Sequence, residues 1–258
     1  MLEKVSPKEW DTFVEASPQG TIFSTTKWLD LFGDYELLGY YKNGNLTGGM
    51  VLQKPMPLTP FQGVLVRPTE GKYTTRMSLE NEVAEALIPA IGKATFSNHY
   101  TYTDIRPFLW HGFVASIKYT YVWTPDCELE KDTRYIINRY DKPIGSDFDR
   151  LDWLYTETFK RKNLSRPVSS KFLRQMCEAT NAEVSTTEGA GVILIKDSKR
   201  YYYIIGSSDG QGESSYLLWN AIKDKNEVDM VGSNNKNIGL FKRGFGGILK
   251  PYYQVSNV

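Results

Sequence analysis

Three groups of residues have types and spacings that can do chemistry. The first is Ser208-Asp209-Gly210-Gln211-Gly212-Glu213, which joins a strand pattern to a helix pattern. A glycine loop at a helix N-terminus offers unpaired backbone N–H groups to an anion such as a pyrophosphate, and Gly210 and Gly212 allow close approach. The same composition also describes an ordinary polar turn, and Asp209 and Glu213 would repel phosphate. The second group is Lys160, Arg161, Lys162, Arg166, Lys171 and Arg174, a run without an acid. The planar fork of an arginine matches a phosphate or carboxylate. Arg166, fixed before Pro167 at a bend between two helices, is the ligand candidate, whereas Lys160, Arg161 and Lys162 read as a solvated basic helix face. The third is Asp229, ahead of Gly232-Ser233, which could take a proton from an attacking amine or orient Ser233.

Other reactive types lack the company they need. His99 and His111 stand without a serine or cysteine motif, so no nucleophilic triad is indicated. Cys127 and Cys177 are far apart with no C-x-x-C spacing, which excludes a zinc knuckle or disulfide framework and fits a reducing cytoplasm. No metal is expected. Asp104 and Arg106 read as a structural ion pair. Tyr201, Tyr202, Tyr203, Tyr252 and Tyr253 lie on strand patterns and alternate faces, so some belong to the core and others can line a channel.

The frame that positions these groups is a chain of 258 residues, 41% apolar and 14% aromatic, enough for a sizeable core. A net charge of +1 gives no general attraction to a polyanion, so DNA is not an expected partner. No apolar run approaches the roughly 18 residues of a membrane span, and the charged first ten residues do not form a signal peptide. The expected location is cytoplasmic.

Two similar passes of helix and strand follow. In the first, helices are expected over 7–16 and 24–34, with Trp28, Leu31 and Phe32 inward. A hairpin over 36–41 and 46–53 turns at Asn43-Gly44, because both turn residues accept positive φ. Pro55, Pro57 and Pro60 interrupt the sheet before a strand at 63–67. An amphipathic helix is expected over 81–95 and strands over 100–105 and 116–123. The second pass predicts helices over 130–140, 147–162 and 169–179, then strands over 182–187, 191–196 and 200–207. A helix over 214–223, a strand over 227–231, a last helix and an aromatic strand complete it. No linker separates the passes, so the expected division is 1–125 and 126–258.

The closing half carries a resemblance. Tyr201–Gly206, the glycine loop, Leu217-Leu218-Trp219-Asn220-Ala221-Ile222, Val228-Asp229-Met230-Val231-Gly232-Ser233 and Phe241-Lys242-Arg243-Gly244-Phe245-Gly246-Gly247 resemble FemABX-type proteins, the peptidoglycan-bridge aminoacyltransferases and their short acetyltransferase-like relatives. In the first pass, Gly20–Trp28 and Tyr119–Trp123 are similar to them too, so the resemblance covers nearly the whole chain. It implies an α/β fold of two tandem GNAT-like (acyl-CoA N-acyltransferase) subdomains packed together, with the active site in a channel between them. It further implies that the Phe241-Lys242 pair sits at the reaction centre, Lys242 stabilising negative charge as an amine attacks an ester. With Asp229 these are the expected catalytic residues. The expected substrate- or donor-binding residues are Arg166, Ser233, Gly210, Gly212, Tyr203 and Trp219.

The implied activity is transfer of an acyl or aminoacyl group to an amine of a cell-envelope precursor, an amino sugar or peptide, small or nucleotide-linked. The donor would be acyl-CoA, such as acetyl-CoA, or aminoacyl-tRNA. Phe241 lacks the hydroxyl by which simple acetyl-CoA enzymes protonate the leaving thiolate, and residues 208–213 match the usual pyrophosphate loop poorly. Two further readings are a tRNA-dependent aminoacyltransferase acting on a peptidoglycan precursor or protein, and a non-catalytic binder of glycan or peptide.

Overall fold

The computed structural model describes residues 1–258. The chain divides into unit 1, residues 1–118 and 251–258, and unit 2, residues 119–250. The fold is mixed α/β with two sheets, as expected.

Unit 1 runs β1 (Leu2–Lys4), α1 (Pro7–Ala16), α2 (Thr26–Leu29), β2 (Glu36–Lys42), β3 (Asn45–Leu52), β4 (Leu65–Val66), α3 (Tyr73–Leu87), β5 (Thr95–Ser97), α4 (Arg106–Trp110) and the start of β6 (Val114–Trp123). Strands β1 to β4 form an antiparallel sheet in sequence order. Its hairpin turns where expected: Asn43 and Gly44 sit at φ 51° and 75°, the pair of left-handed residues that lets a two-residue turn follow the strand twist. Helix α3 covers this sheet, and Val83, Ala84 and Leu87 meet Met50, Val64 and Val66 in the core.

Three expectations for unit 1 need correction. The helix expected over 24–34 is only one turn, α2, because Leu31 and Phe32 bond back to Trp28 and Leu29 in the tighter i to i−3 pattern and Gly33 turns at φ 75°. The helix expected over 81–95 is α3, which starts at Tyr73. Its polar first half is held by bonds that hydrophobic periodicity does not register: Arg76 pairs with the buried Glu80 one turn on at 3.4 Å, and Tyr102 Oη, from outside the helix, donates to Glu80 O at 3.2 Å. Residues 100–105 are not a strand. Tyr102 N bonds to His99 O at 2.8 Å, a local turn in place of a ladder, and Asp104 pairs with Arg106 at 2.7 Å.

Unit 2 contains the end of β6, α5 (Lys131–Ile137), α6 (Phe148–Arg161), α7 (Ser170–Thr180), β7 (Glu183–Thr186), β8 (Ala190–Lys196), β9 (Tyr201–Ser208), α8 (Ser214–Ile222), β10 (Val228–Asp229), α9 (Lys236–Arg243) and the first residues of β11 (Ile248–Ser256). The sheet order here is β6-β10-β9-β8-β7, antiparallel except for the parallel pair β9 and β10. Strand β8 is buried from Ala190 to Ile195 because both faces are covered. Val192 and Leu194 meet Leu217, Leu218 and Ile222 of α8 on one face, while α6 packs on β8 and β9 from the other.

Candidate functional site

The site in unit 2 begins with a divergence. Strands β9 and β10 pair in parallel at Val228↔Tyr201 and Asp229↔Tyr202, after which β10 ends and its chain turns away. Strand β9 continues to Ser208, and its register against β8 shifts between Ile193 and Leu194, so that Ile204 is an extra residue in the ladder. Such a bulge bends a strand and re-aims its side chains. A cavity of about 360 Å³ fills the gap. Tyr203, Ile204, Gly206, Ser207 and Ser208 of β9 form one wall, and Gly232 with Asn237, Ile238, Phe241 and Lys242 of α9 form the opposite one. Thr158 and Arg161 at the end of α6, with Lys162 and Ser214, close the rest.

Helix α9 presents its residues to this cavity because Asn235 caps it, its side-chain oxygen taking the Asn237 and Ile238 N–H groups at 3.0 and 3.4 Å. In the last turn of the helix, Lys242 is 7% exposed. Its Nζ donates to Met230 O at 2.5 Å, to Val231 O, and to Gly232 O at 3.0 Å, and lies 5.4 Å from the centre of the Tyr203 ring. Burial pushes this ammonium down to about 8, with Asp229 acting in the opposite sense. Phe241 beside it packs edge-on against Phe245 at 5.4 Å.

Asp229 is fully buried at the last parallel pair, and the cavity surface does not include it. Its Oδ1 accepts from Thr120 Oγ1 at 2.5 Å and from Val231 N at 2.8 Å, while Oδ2 has no partner. Burial raises this carboxyl to about 6 against the pull of those bonds and of Arg200 and Lys242. Ser233 is fastened by its backbone N–H to Tyr119 O at 2.8 Å, and its hydroxyl is buried and unpaired.

The glycine loop is built tightly and gripped from outside. Gly210 and Gly212 take φ of 96° and 97°, and a side chain at Gly210 would meet Arg161 Nη1 at 2.0 Å. Arg161 donates to Ser208 O, and the Thr158 hydroxyl accepts from Ser208 N at 2.9 Å. Tyr140 Oη donates to Gln211 O at 2.8 Å, and Glu213 Oε2 accepts from Gly189 N at 3.0 Å. The positive groups at this end of the cavity are therefore Arg161 and Lys162, which the sequence pattern read as a solvated face.

Of the residues expected from sequence, Tyr203, Phe241 and Lys242 come together on the cavity, with Gly210 and Ser233 each one contact removed through Arg161 and Gly232. Trp219 is elsewhere, packed edge-on against Trp123 at 6.0 Å in the core under α8. Arg166 also lies outside the cavity lining, and its donors go to Asp152 at 2.6 Å, Val168 O and Thr156 Oγ1 at 2.8 Å each, and Ser170 Oγ at 3.1 Å. No group of three or more His, Cys, Asp or Glu is placed to hold a metal ion, and no helix is long and apolar enough to cross a membrane.

No protein-family model and no curated protein matches the chain. Solved structures do. FemX superposes with a TM-score of 0.67 at 13% identity, covering 98% of this chain and 96% of that one. An acetyltransferase of the GNAT family from Colwellia psychrerythraea gives 0.57 at 13% identity, with 100% of both chains covered. L-PGS from Bacillus licheniformis gives 0.56 at 13% identity over 99% of this chain and 93% of that one. Along nearly its whole length the chain therefore has the acyltransferase-type fold of FemX and the GNAT acetyltransferases.

Proposed function

We propose that the protein is an N-acyltransferase, moving an acyl or aminoacyl group from a phosphate-bearing carrier to the amine of a cell-envelope precursor such as an amino sugar or peptide. The observation that carries this reading is the cavity between β9 and α9, lined by Tyr203, Phe241 and Lys242 and basic at one end through Arg161 and Lys162. In this fold a gap between diverging parallel strands suits a thin acyl-bearing arm, and two cations suit the phosphates of its carrier.

The reaction needs little covalent help from the protein. The neutral amine attacks the acyl carbon, a C–N bond forms, and the carbonyl oxygen becomes an oxyanion. Collapse breaks the C–S bond of a thioester or the C–O bond of an aminoacyl ester, and the amine proton ends on the departing sulfur or oxygen. Positive potential from Lys242 favours the oxyanion, and the walls supply orientation. Phe241 offers an apolar face beside the reacting group and has no proton to give.

Acetyl-CoA is the first donor to test, by thermal shift and by release of free thiol on addition of UDP-linked amino sugars or muropeptides. At one hundred times Kd the donor adds about 2.7 kcal/mol of stability. Arg161→Ala with Lys162→Ala is expected to remove that shift. A response to aminoacyl-tRNA alone assigns the carrier as tRNA, and affinity without turnover for any donor overturns the transferase reading.

A further inference from the structure

Lys242 has three N–H donors, and three successive carbonyls, Met230 O, Val231 O and Gly232 O, accept them. That convergence depends on an unusual backbone. Val231 and Gly232 lie at φ 50° and 40°, and a β-branched residue in the left-handed region is rare enough to require outside support. The two residues turn their carbonyls to one side, where the dipoles would repel each other unless a cation stood between them. A neutral amine has only two N–H groups for three acceptors, so the cage takes the ammonium form. From the other side Asp229 Oδ1 holds the Val231 N–H at 2.8 Å and is itself fixed by Thr120 at 2.5 Å. Gly232, the last member of the cage, is part of the cavity wall.

We infer that Lys242 is a positioning residue: its ammonium is the built-in cation of a three-carbonyl cage that sets the Val231–Gly232 wall of the cavity, and it acts on the reaction through that wall and its charge, with no free N–H to give a reacting oxygen. The inference rests on the acyl-transfer reading for what the wall serves, while the cage stands on its own geometry. One consequence concerns a ligand class. Shortening Lys242 leaves a carbonyl-lined cradle with the size and polarity of a small primary ammonium ion.

The test uses Lys242→Ala in the full chain, melted with ammonium, ethylammonium, tetramethylammonium or sodium chloride at equal ionic strength. The expected result is a lowered melting temperature that ammonium and ethylammonium raise in a saturable way, with neither ion doing so for the wild type. Tetramethylammonium, which has no N–H, gives no more than sodium does. If a transfer assay is in hand, ethylammonium also restores kcat of the variant at least tenfold with little change in KM. Equal responses to all four salts overturn the cage, as does a variant that melts like the wild type. Should the variant fail to fold, Lys242 15Nζ resonances of the wild type decide. The cage predicts a slowly exchanging NH3 signal at neutral pH that stays in place when acetyl-CoA is added, and a freely exchanging signal overturns it. The melting and NMR results do not depend on turnover, so loss of the transferase reading would leave them standing.

Discussion

Replacing Arg166 with alanine separates a structural arginine from a ligand-binding one. Its guanidinium and the Asp152 carboxylate are each only 20% exposed, and they meet at 2.6 Å. The side chain also bonds Val168 O, Thr156 Oγ1 and Ser170 Oγ, and stacks over Tyr155 at 5.1 Å. Truncation leaves Asp152 with Ser170 as its remaining partner at 2.7 Å and strands the Val168 carbonyl. A fully buried pair broken from one side costs about 3–5 kcal/mol, and an exposed pair costs about 0–1. At one-fifth exposure the expectation is about 2–3 kcal/mol, a fall in Tm of roughly 5–10 °C for a chain of this length.

The pH dependence gives a second reading of the same bond. Burial acts to raise the Asp152 carboxyl, but bonds from Arg166 and Ser170, with the charges of Arg166 and Arg174, outweigh it and hold the group below its usual range. A depressed carboxylate contributes stability that is present above its unfolded pKa of about 3.9 and is lost as pH falls through the folded value. Urea unfolding should therefore show the Arg166→Ala deficit in full at pH 7 and narrowing below about pH 4. A cycle with Asp152→Ala should give a coupling of about 1–3 kcal/mol. A loss under 0.5 kcal/mol at pH 7, with acetyl-CoA binding abolished, would refute this account and return Arg166 to the ligand set.

Gly210→Ala and Gly44→Ala both place a side chain at positive φ, but only the first meets another group, Arg161 Nη1 at 2.0 Å, whereas Gly44 has nothing within 4 Å. The Gly44 change should cost about 1 kcal/mol in urea unfolding and the Gly210 change about 1–2 kcal/mol more, because Arg161 must leave Ser208. Glu80 is fully buried, and its carboxyl is pushed up to about 7, chiefly by burial, with Arg76 opposing and Asp104 adding. A raised carboxyl favours the folded state when protonated, so this contribution is present below about pH 4.5 and lost as pH rises through 7. Glu80→Gln should remove a decline on the order of 2–3 kcal/mol across that window, visible as a Tm difference that grows from pH 5 to 8.

What the sequence makes legible follows the range of the interaction that fixes each feature. The Asn43-Gly44 hairpin and strand β8 are set within a few residues, and each stands where pattern places it. Helix α3 starts earlier than its apolar pattern because the Arg76–Glu80 pair within it and Tyr102 from outside it hold its polar first half, and hydrophobic periodicity reports neither. The basic run shows the same limit at a finer scale. Successive helical residues turn by about 100°, so Lys160, Arg161 and the following Lys162 cannot share one face. Lys160 pairs with Glu157 at 3.3 Å, while Arg161 and Lys162 line the cavity. A charge run was visible, but the division of labour within it was not.

The same reasoning explains why the Phe241-Lys242 motif alone could not reveal how Lys242 is used. Its partners are backbone carbonyls, which every residue carries, so no side-chain pattern announces a cage. The sequence holds one faint sign, a glycine directly after Val231. The left-handed turn it eases begins at the valine, against that residue's own preference, and is held there by Asp229 and Lys242 from opposite sides. Both ionisable groups are displaced toward neutrality by burial, the carboxyl to about 6 and the ammonium to about 8, yet between those values both carry charge. Over that interval the loop is gripped by an anion and a cation at once. Falling pH protonates Asp229 and rising pH removes the cage's third donor, so the wall formed by Gly232 is gripped by both groups only while both are charged.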